Sequence, residues 1–485
     1  MRRRQQMRAQ RAQAGQRGAA RDVSLPLPIG GLFSEASNAE MRAVYAGEML
    51  NWKSTGALLE TRPQAILSDG PSSAVQRIPF EFSGRSLYIE TTPNQASAGA
   101  ATFARSFDGR ASVAYISGRA IIADGRDDPL TFDGTTFAPS AFTTETAVTQ
   151  DEFDGIVAHH DRPYLWKRGG DLEFYYGDVG AVTGALQRFP LGRLGNITGS
   201  ISEIASLTVD AGHGMNDVLA IMTSTGQVVI YEGLDPGDAQ DWRLLSRIKV
   251  APPASSRSFT QIGSDAWMLT TSGIISVGES LRQGAMALVS KISRPILDEI
   301  LRAIEEGGDW QLHTSADSSF SVINRTYLGV SQQWVYYLES GSWATADYPA
   351  DVWHNLGQAT GFTAQDGCLG KITRSQTAGE PMLATLHTGW FRAGTSGLAS
   401  ITPTILAKGP LAIRIAVLTD HNETASDLAE AWQTVTIDPN NSGDGIETIA
   451  ISDTIGLDAV GDVYQLRLEV TARWAQIVNI TLAVN

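Results

Sequence analysis

The chain has 485 residues, 48 glycines, eleven tryptophans, a single cysteine and a formal net charge of −15. A lone Cys368 excludes an internal disulfide framework and fits folding in a reducing compartment. No apolar run reaches the roughly 18 residues of a membrane span, and no apolar stretch follows the first arginines as in a secretory signal.

Met1 to Arg21 carries Arg2, Arg3, Arg4, Arg8, Arg11, Arg17 and Arg21 without an acid, so the remaining body is more acidic than the whole. Residues 1–22, rich also in Gln, Ala and Gly, read as a disordered arginine-rich arm. Such an arm can dock on an acidic protein surface, neutralise nucleic-acid phosphates, or serve solvation alone. Val23 to Leu32 is extended, its prolines Pro26 and Pro28 excluding a helix, and Gly30-Gly31 lacks the continuation of a phosphate loop. Met41, Val44, Tyr45, Met49 and Leu50 recur near helical spacing, which predicts a short helix before Trp52, with Trp52 plugging a first blade.

From 76 to 277 short apolar runs recur between turns rich in Gly and Asp. Leu87–Ile89, Ser112–Ile116, Ala120–Ala123, Asp154–Ala158, Leu172–Tyr176, Val218–Met222, Gln227–Tyr231, Asp265–Leu269 and Gly273–Val277 are all strand-length, with no strand-helix-strand rhythm. Asp133-Gly134 and Gly169-Gly170 mark two hairpin turns. Irregular hairpins at a spacing of roughly 40 to 50 residues predict an all-β protein built on a β-propeller, with a plain sandwich as the alternative for this stretch. His159-His160-Asp161 invites a metal reading, but neighbouring strand side chains point to opposite faces, so one ion cannot take both rings without a bend. Asp124, Asp127 and Asp128 lack the spacing of a calcium loop and read as turn chemistry. No catalytic, cofactor-binding or metal-ligating residue is nominated, and the chain is read as a non-enzyme.

Residues 279–306 form a helical insertion: Leu281, Ala285, Leu288, Val289 and Ile292 make one stripe, and Ile296, Leu297, Ile300, Leu301 and Ile304 a second after Pro295. Leu281, Leu288, Ile300 and Ile304 join the seven arginines as interface candidates, the other home for their stripes being the propeller itself. Strands resume at Trp310, Ser319–Asn324 and Gln333–Glu339 with Gly341-Ser342-Trp343, and Ile372 closes the ring. A strand from the N-terminal side that completes the last blade would explain why Leu58 to Arg62 precedes the main repeat. The propeller with its N-terminal extension and helical insertion is thus expected over 23–396. Strict alternation in Ile401–Leu406, Leu411–Leu418, Trp432–Ile437, Ile446–Ile451, Tyr464–Val470 and Gln476–Val484 predicts an antiparallel β-sandwich assembly domain over 397–485.

Several short segments resemble a known family. Pro28-Ile29-Gly30-Gly31-Leu32, Glu48-Met49-Leu50-Asn51-Trp52, Leu59-Glu60-Thr61-Arg62-Pro63, Gly278-Glu279-Ser280-Leu281 and Thr388-Gly389-Trp390-Phe391-Arg392 resemble, in order, the β-propeller tail-hub or packaged-DNA stabilisation proteins of short-tailed bacteriophages. The arginine arm departs from that pattern. The resemblance implies a structural subunit of the virion tail, assembled in the host cytoplasm, in a homo-oligomeric and hexameric ring. That ring would extend and help close the DNA channel below portal and adaptor, meet the adjacent adaptor ring and fibre, spike or needle proteins, and pass DNA without reading its sequence. No cofactor is implied. The alternative from another class is a carbohydrate-active or carbohydrate-binding propeller.

Overall fold

The computed structural model describes residues 21–34, 41–67, 70, 72–107, 111–144, 149–210, 215–283, 292–317, 319–376, 378–392, 397–408, 411–420, 432–437, 449–451, 455–459 and 462–484. It divides into two compact units, one of residues 65–338 and 347–372, the other of 1–64, 339–346 and 373–485.

The first unit is a β-propeller whose described residues form seven blades. Their inner strands are Gln76–Phe82, Ser112–Ile116, Gly155–His159, Ile201–Asp210, Phe259–Ile262, Asp309–Thr314 and Ala350–Leu356, numbered here as blades 1 to 7. Each blade is built on an antiparallel meander, with Phe142–Thr144 added parallel to Gly184–Pro190 in blade 3. In blade 4, Ile201–Asp210 is followed by Met215–Thr223, Gln227–Glu232 and Arg243–Lys249. Successive strand side chains point to opposite faces, and here both faces are buried. Val218, Ala220 and Met222 join a cluster with Ala266, Met268 and Ile275 of blade 5. Leu219 and Ile221 join Tyr164, Trp166 and Phe174 of blade 3. The same division recurs in blade 2, where Ala120 and Ile122 face Ile78 and Phe80, while Ile121 and Ala123 face Ile156 and Leu165. Two-sided burial explains why these strands read as continuous apolar runs.

Ring closure comes from the N-terminal side. Gln64–Leu67 is the outer strand of blade 7, beside Leu369–Thr373, Ala359–Ala364 and Ala350–Leu356, and the inner strands of blades 7 and 1 lie against each other. The closing strand is therefore not Leu58 to Arg62. Leu59–Thr61 pairs instead with Trp474–Val484, Leu59 opposite Ile477. Pro63, which cannot donate to a ladder, separates the two short strands. Ala350–Leu356 is the inner strand of blade 7.

Glutamine side chains staple adjacent inner strands. Gln311 of blade 6 donates to the Trp353 carbonyl at 2.8 Å and accepts from the Trp353 N–H at 2.9 Å. Gln261 of blade 5 likewise donates to the Thr208 carbonyl and accepts from the Thr208 N–H. Gln76 of blade 1 accepts from the Ala111 N–H at 2.8 Å, just before blade 2. A bidentate amide replaces the ladder bonds that an inner strand edge lacks.

The insertion after blade 5 contains helix Val277–Gln283 and, beyond a 3₁₀ turn at Arg294–Ile296, helix Leu297–Glu306. Pro295 sits at the start of that turn, Asp298 and Glu299 lie in the first helical turn, and Gly307 ends the helix at φ 90°. The expected Asp133-Gly134 and Gly169-Gly170 hairpins are also present, linking Leu130–Phe132 to Phe137–Pro139 and Arg162–Trp166 to Glu173–Tyr176.

The second unit is a sandwich drawing strands from both ends of the chain. One sheet runs Trp52–Ser54, Leu59–Thr61, Trp474–Val484, Leu398–Lys408 and Ile449–Ile451, with Arg21–Ser24 also on Trp474–Val484 and Ile455–Ala459 on Leu398–Lys408. The other contains Ser342–Ala346, Ala46–Leu50, Met382–Thr388, Tyr464–Ala472, Leu411–Thr419 and Gln433–Ile437 in that order. The expected helix before Trp52 is absent. Ala46–Leu50 is a strand pairing antiparallel with Met382–Thr388, Met49 opposite Leu386, and the fully buried Trp52 belongs to this unit rather than to a blade. Ser342–Ala346 also lies in this unit, Thr345 donating its hydroxyl to the Met49 carbonyl at 3.2 Å.

Candidate functional site

Seven inner strands line an open axial cavity of about 480 Å³ inside the propeller unit. Its charged groups gather at one mouth because of where the inner strands begin. Arg77 is the second residue of the blade 1 inner strand and Glu203 the third of blade 4, while Arg257 stands two residues before that of blade 5. Arg168 follows Trp166, which pairs with Gly155 at the start of blade 3. Each is braced by the wall. Arg77 Nη2 lies 2.9 Å from Glu90 Oε1. Arg168 donates to the Asp154 carbonyl at 2.7 Å and to Ser112 Oγ of blade 2 at 2.8 Å. Arg257 Nη2 donates to Asp309 Oδ1 at 2.7 Å, reaching blade 6. Glu203 Oε2 accepts the Ser258 N–H at 2.8 Å.

Burial pushes the Glu203 carboxyl up to about 8, against the opposing pull of the Ser258 N–H, Arg168 and Arg257. His354, also in the wall, is 8% exposed, packs edge-on to Tyr88 at 5.5 Å, and is pushed down to about 3 by burial. A second cavity of about 270 Å³ shares Pro79, Tyr115 and Asn355 with the first and is otherwise bounded by Phe80, Arg119 and Leu356 among others.

The residues singled out from sequence lie elsewhere. Arg2, Arg3, Arg4, Arg8, Arg11, Arg17 and Leu288 fall outside the described residues. Arg21 is exposed and pairs with Val484 at the edge of the sandwich sheet. Leu281 is half-buried against the cluster between blades 4 and 5, Ile300 is fully buried, and Ile304 is half-buried. Leu281 and Ile300 thus spend their apolar area inside their own unit. A turn with positive φ at His160 and Asp161 supplies the bend that strand geometry alone would not, bringing the His159 and His160 rings to 4.2 Å. His159 nonetheless bonds Ser206 through Nδ1 at 2.8 Å, and among the described residues no group of three or more His, Cys, Asp or Glu is arranged to hold a metal ion. Asp124 is an ion-pair partner of Arg105, whose Nε lies 3.5 Å from Asp127 Oδ2, so this acidic turn is clamped by an arginine. No helix among the described residues is long and apolar enough to cross a membrane.

Sequence reasoning missed Arg77, Arg168, Glu203 and Arg257. The available signal was a charged residue at or near the start of an apolar run, as in Arg77-Ile78 and Glu203-Ile204. It acquires meaning only once the inner strand of each blade is known.

No family model matches the chain, and no curated protein matches its sequence. Several solved structures are similar to it, two of them described as β-propeller domains. YCF48 bound to D1 peptide is 11% identical, over 65% of this chain and 97% of that one, with a TM-score of 0.40. The β-propeller domain of Myceliophteria thermophila Cps50 (Swd1) is 12% identical over 65% and 100%, also at 0.40. The WD40 β-propeller domain of Doa1 is 9% identical over 64% and 97%, at 0.39. The protein is an all-β, propeller-like molecule with a short helical insertion and a sandwich-like second unit.

Proposed function

We propose that this protein is a structural, non-catalytic subunit of a phage tail hub, in which copies form a ring around the DNA channel and offer attachment to neighbouring tail proteins. The observation that carries the reading is the sandwich unit. It gathers strands from both ends of the chain, and its strand Arg21–Ser24, paired with the last strand, directly follows the arginine-rich segment. A basic segment leading into an anchored edge strand of an acidic protein is suited to docking on an acidic neighbour such as the adaptor ring. The short motifs from Pro28 to Arg392 add the family resemblance.

The test compares copies of the protein per purified particle for the full chain and for a chain lacking residues 1–20. Docking predicts reduced occupancy for the shortened chain, with weak duplex binding nearly unchanged at about 150 mM salt. Full occupancy would remove the docking role, and a large loss of DNA affinity at that salt would assign the arginines to nucleic acid.

A further inference from the structure

The axial cavity plays no part in the tail-hub reading, yet its wall differs chemically from the rest of the molecule. The whole chain has 52 acids against 37 lysines and arginines. Among the described residues that line the cavity the ratio is reversed, with Arg77, Arg168 and Arg257 against Glu203, while Glu90, Asp154 and Asp309 pair with the three guanidiniums from behind. We propose that the mouth of this cavity binds a small molecule bearing a carboxylate or phosphate group, held by Arg168 and Arg257 with Arg77 contributing to the field.

Several features favour this over a plain structural plug. The guanidiniums are held in place by Glu90, Asp154, Ser112 and Asp309, so little side-chain freedom remains to be lost on binding. Planar guanidinium forks match carboxylate and phosphate oxygens. Glu203, the acid among the described lining residues, is raised by burial to about 8, which weakens its repulsion of an anion. The volume of about 480 Å³ lies within the range of small-molecule sites and is far too small for a nucleic-acid duplex. Trp166 and Trp353 in the same wall provide apolar surface for the uncharged part of such a ligand.

The full chain is titrated calorimetrically with citrate, inorganic phosphate and, as a neutral control, glucose, at low salt. Binding of citrate or phosphate with a Kd below about 1 mM is expected, without binding of glucose. Preference for citrate identifies a carboxylate ligand, and preference for phosphate a phosphorylated one. Arg257→Gln and Arg168→Gln should each weaken binding by about tenfold or more, whereas Glu203→Gln, which keeps an acceptor for the Ser258 N–H, should leave it unchanged or tighter. Should either arginine variant fail to fold, the wild-type protein supplies the same information. The bound probe should slow phenylglyoxal modification of Arg168 and Arg257, read by peptide mapping, relative to the exposed Arg119. No heat with either anion up to about 10 mM, unaltered affinity in folded arginine variants, or unprotected Arg168 and Arg257 would each overturn the proposal.

Discussion

Replacing Gln311 by Ala tests whether side-chain amides join neighbouring blades. Gln311 is 9% exposed and makes two bonds to one peptide neighbour, 2.8 Å to the Trp353 carbonyl and 2.9 Å from its N–H. Truncation removes both bonds and leaves two polar groups of a buried strand edge without those partners. A net bond is worth about 1 kcal/mol and stranding a buried group costs about 1 to 3 kcal/mol, so partial rehydration from the cavity leaves an expected loss of about 2 to 4 kcal/mol. At about 2 °C per kcal/mol for a domain of this size, calorimetry should record a fall in Tm of roughly 4 to 8 °C. Gln311→Met, close in volume, should lose nearly as much, because the amide and not the bulk is at issue. A shift below about 1 °C in both variants would refute the staple argument and place the cohesion of blades 6 and 7 in their apolar faces alone.

Ile300→Asp, which puts a carboxylate where a fully buried side chain stands, should destabilise the propeller unit by about 3 kcal/mol or more and broaden its unfolding transition; a normally stable variant would return Ile300 to the exposed interface. Glu203, raised in the folded state to about 8 from an ordinary 4.5, contributes stability that is complete below pH 4.5 and lost as pH rises towards 8. The stability difference between wild type and Glu203→Gln should therefore change across that window, and a difference constant with pH would contradict it. His354 has the opposite sign: burial lowers it to about 3 from 6.5, so stability is lost as pH falls through that interval. His354→Leu should reduce the acid sensitivity in urea melts, and an unchanged pH profile would count against the burial argument.

The strands of the propeller were legible because two-sided burial writes itself into local runs such as Val218 to Met222 and Gln227 to Tyr231, and because Asp133-Gly134 and Gly169-Gly170 state their turns outright. The helix after Pro295 was legible for the same local reasons. Ala46–Leu50 was not. Its spacing from Met41 to Leu50 imitates a helical stripe, and what makes it a strand is pairing with Met382–Thr388, more than 300 residues away. The closing strand Gln64–Leu67 is similarly fixed by a distant partner, Leu369–Thr373, while the more promising-looking Leu59–Thr61 is taken by Trp474–Val484. The cavity mouth was hidden because Arg77, Arg168, Glu203 and Arg257 come from four blades and converge only when the ring closes.

Electron cryo-microscopy of the purified full-length chain tests the tail-hub proposal most directly. The account predicts closed rings of identical copies, six by family resemblance, around an opening wide enough for a DNA duplex, with the propeller and sandwich units of each copy resolved. A protein that stays monomeric at every concentration and in the presence of its tail neighbours, and that binds a glycan instead, would contradict it.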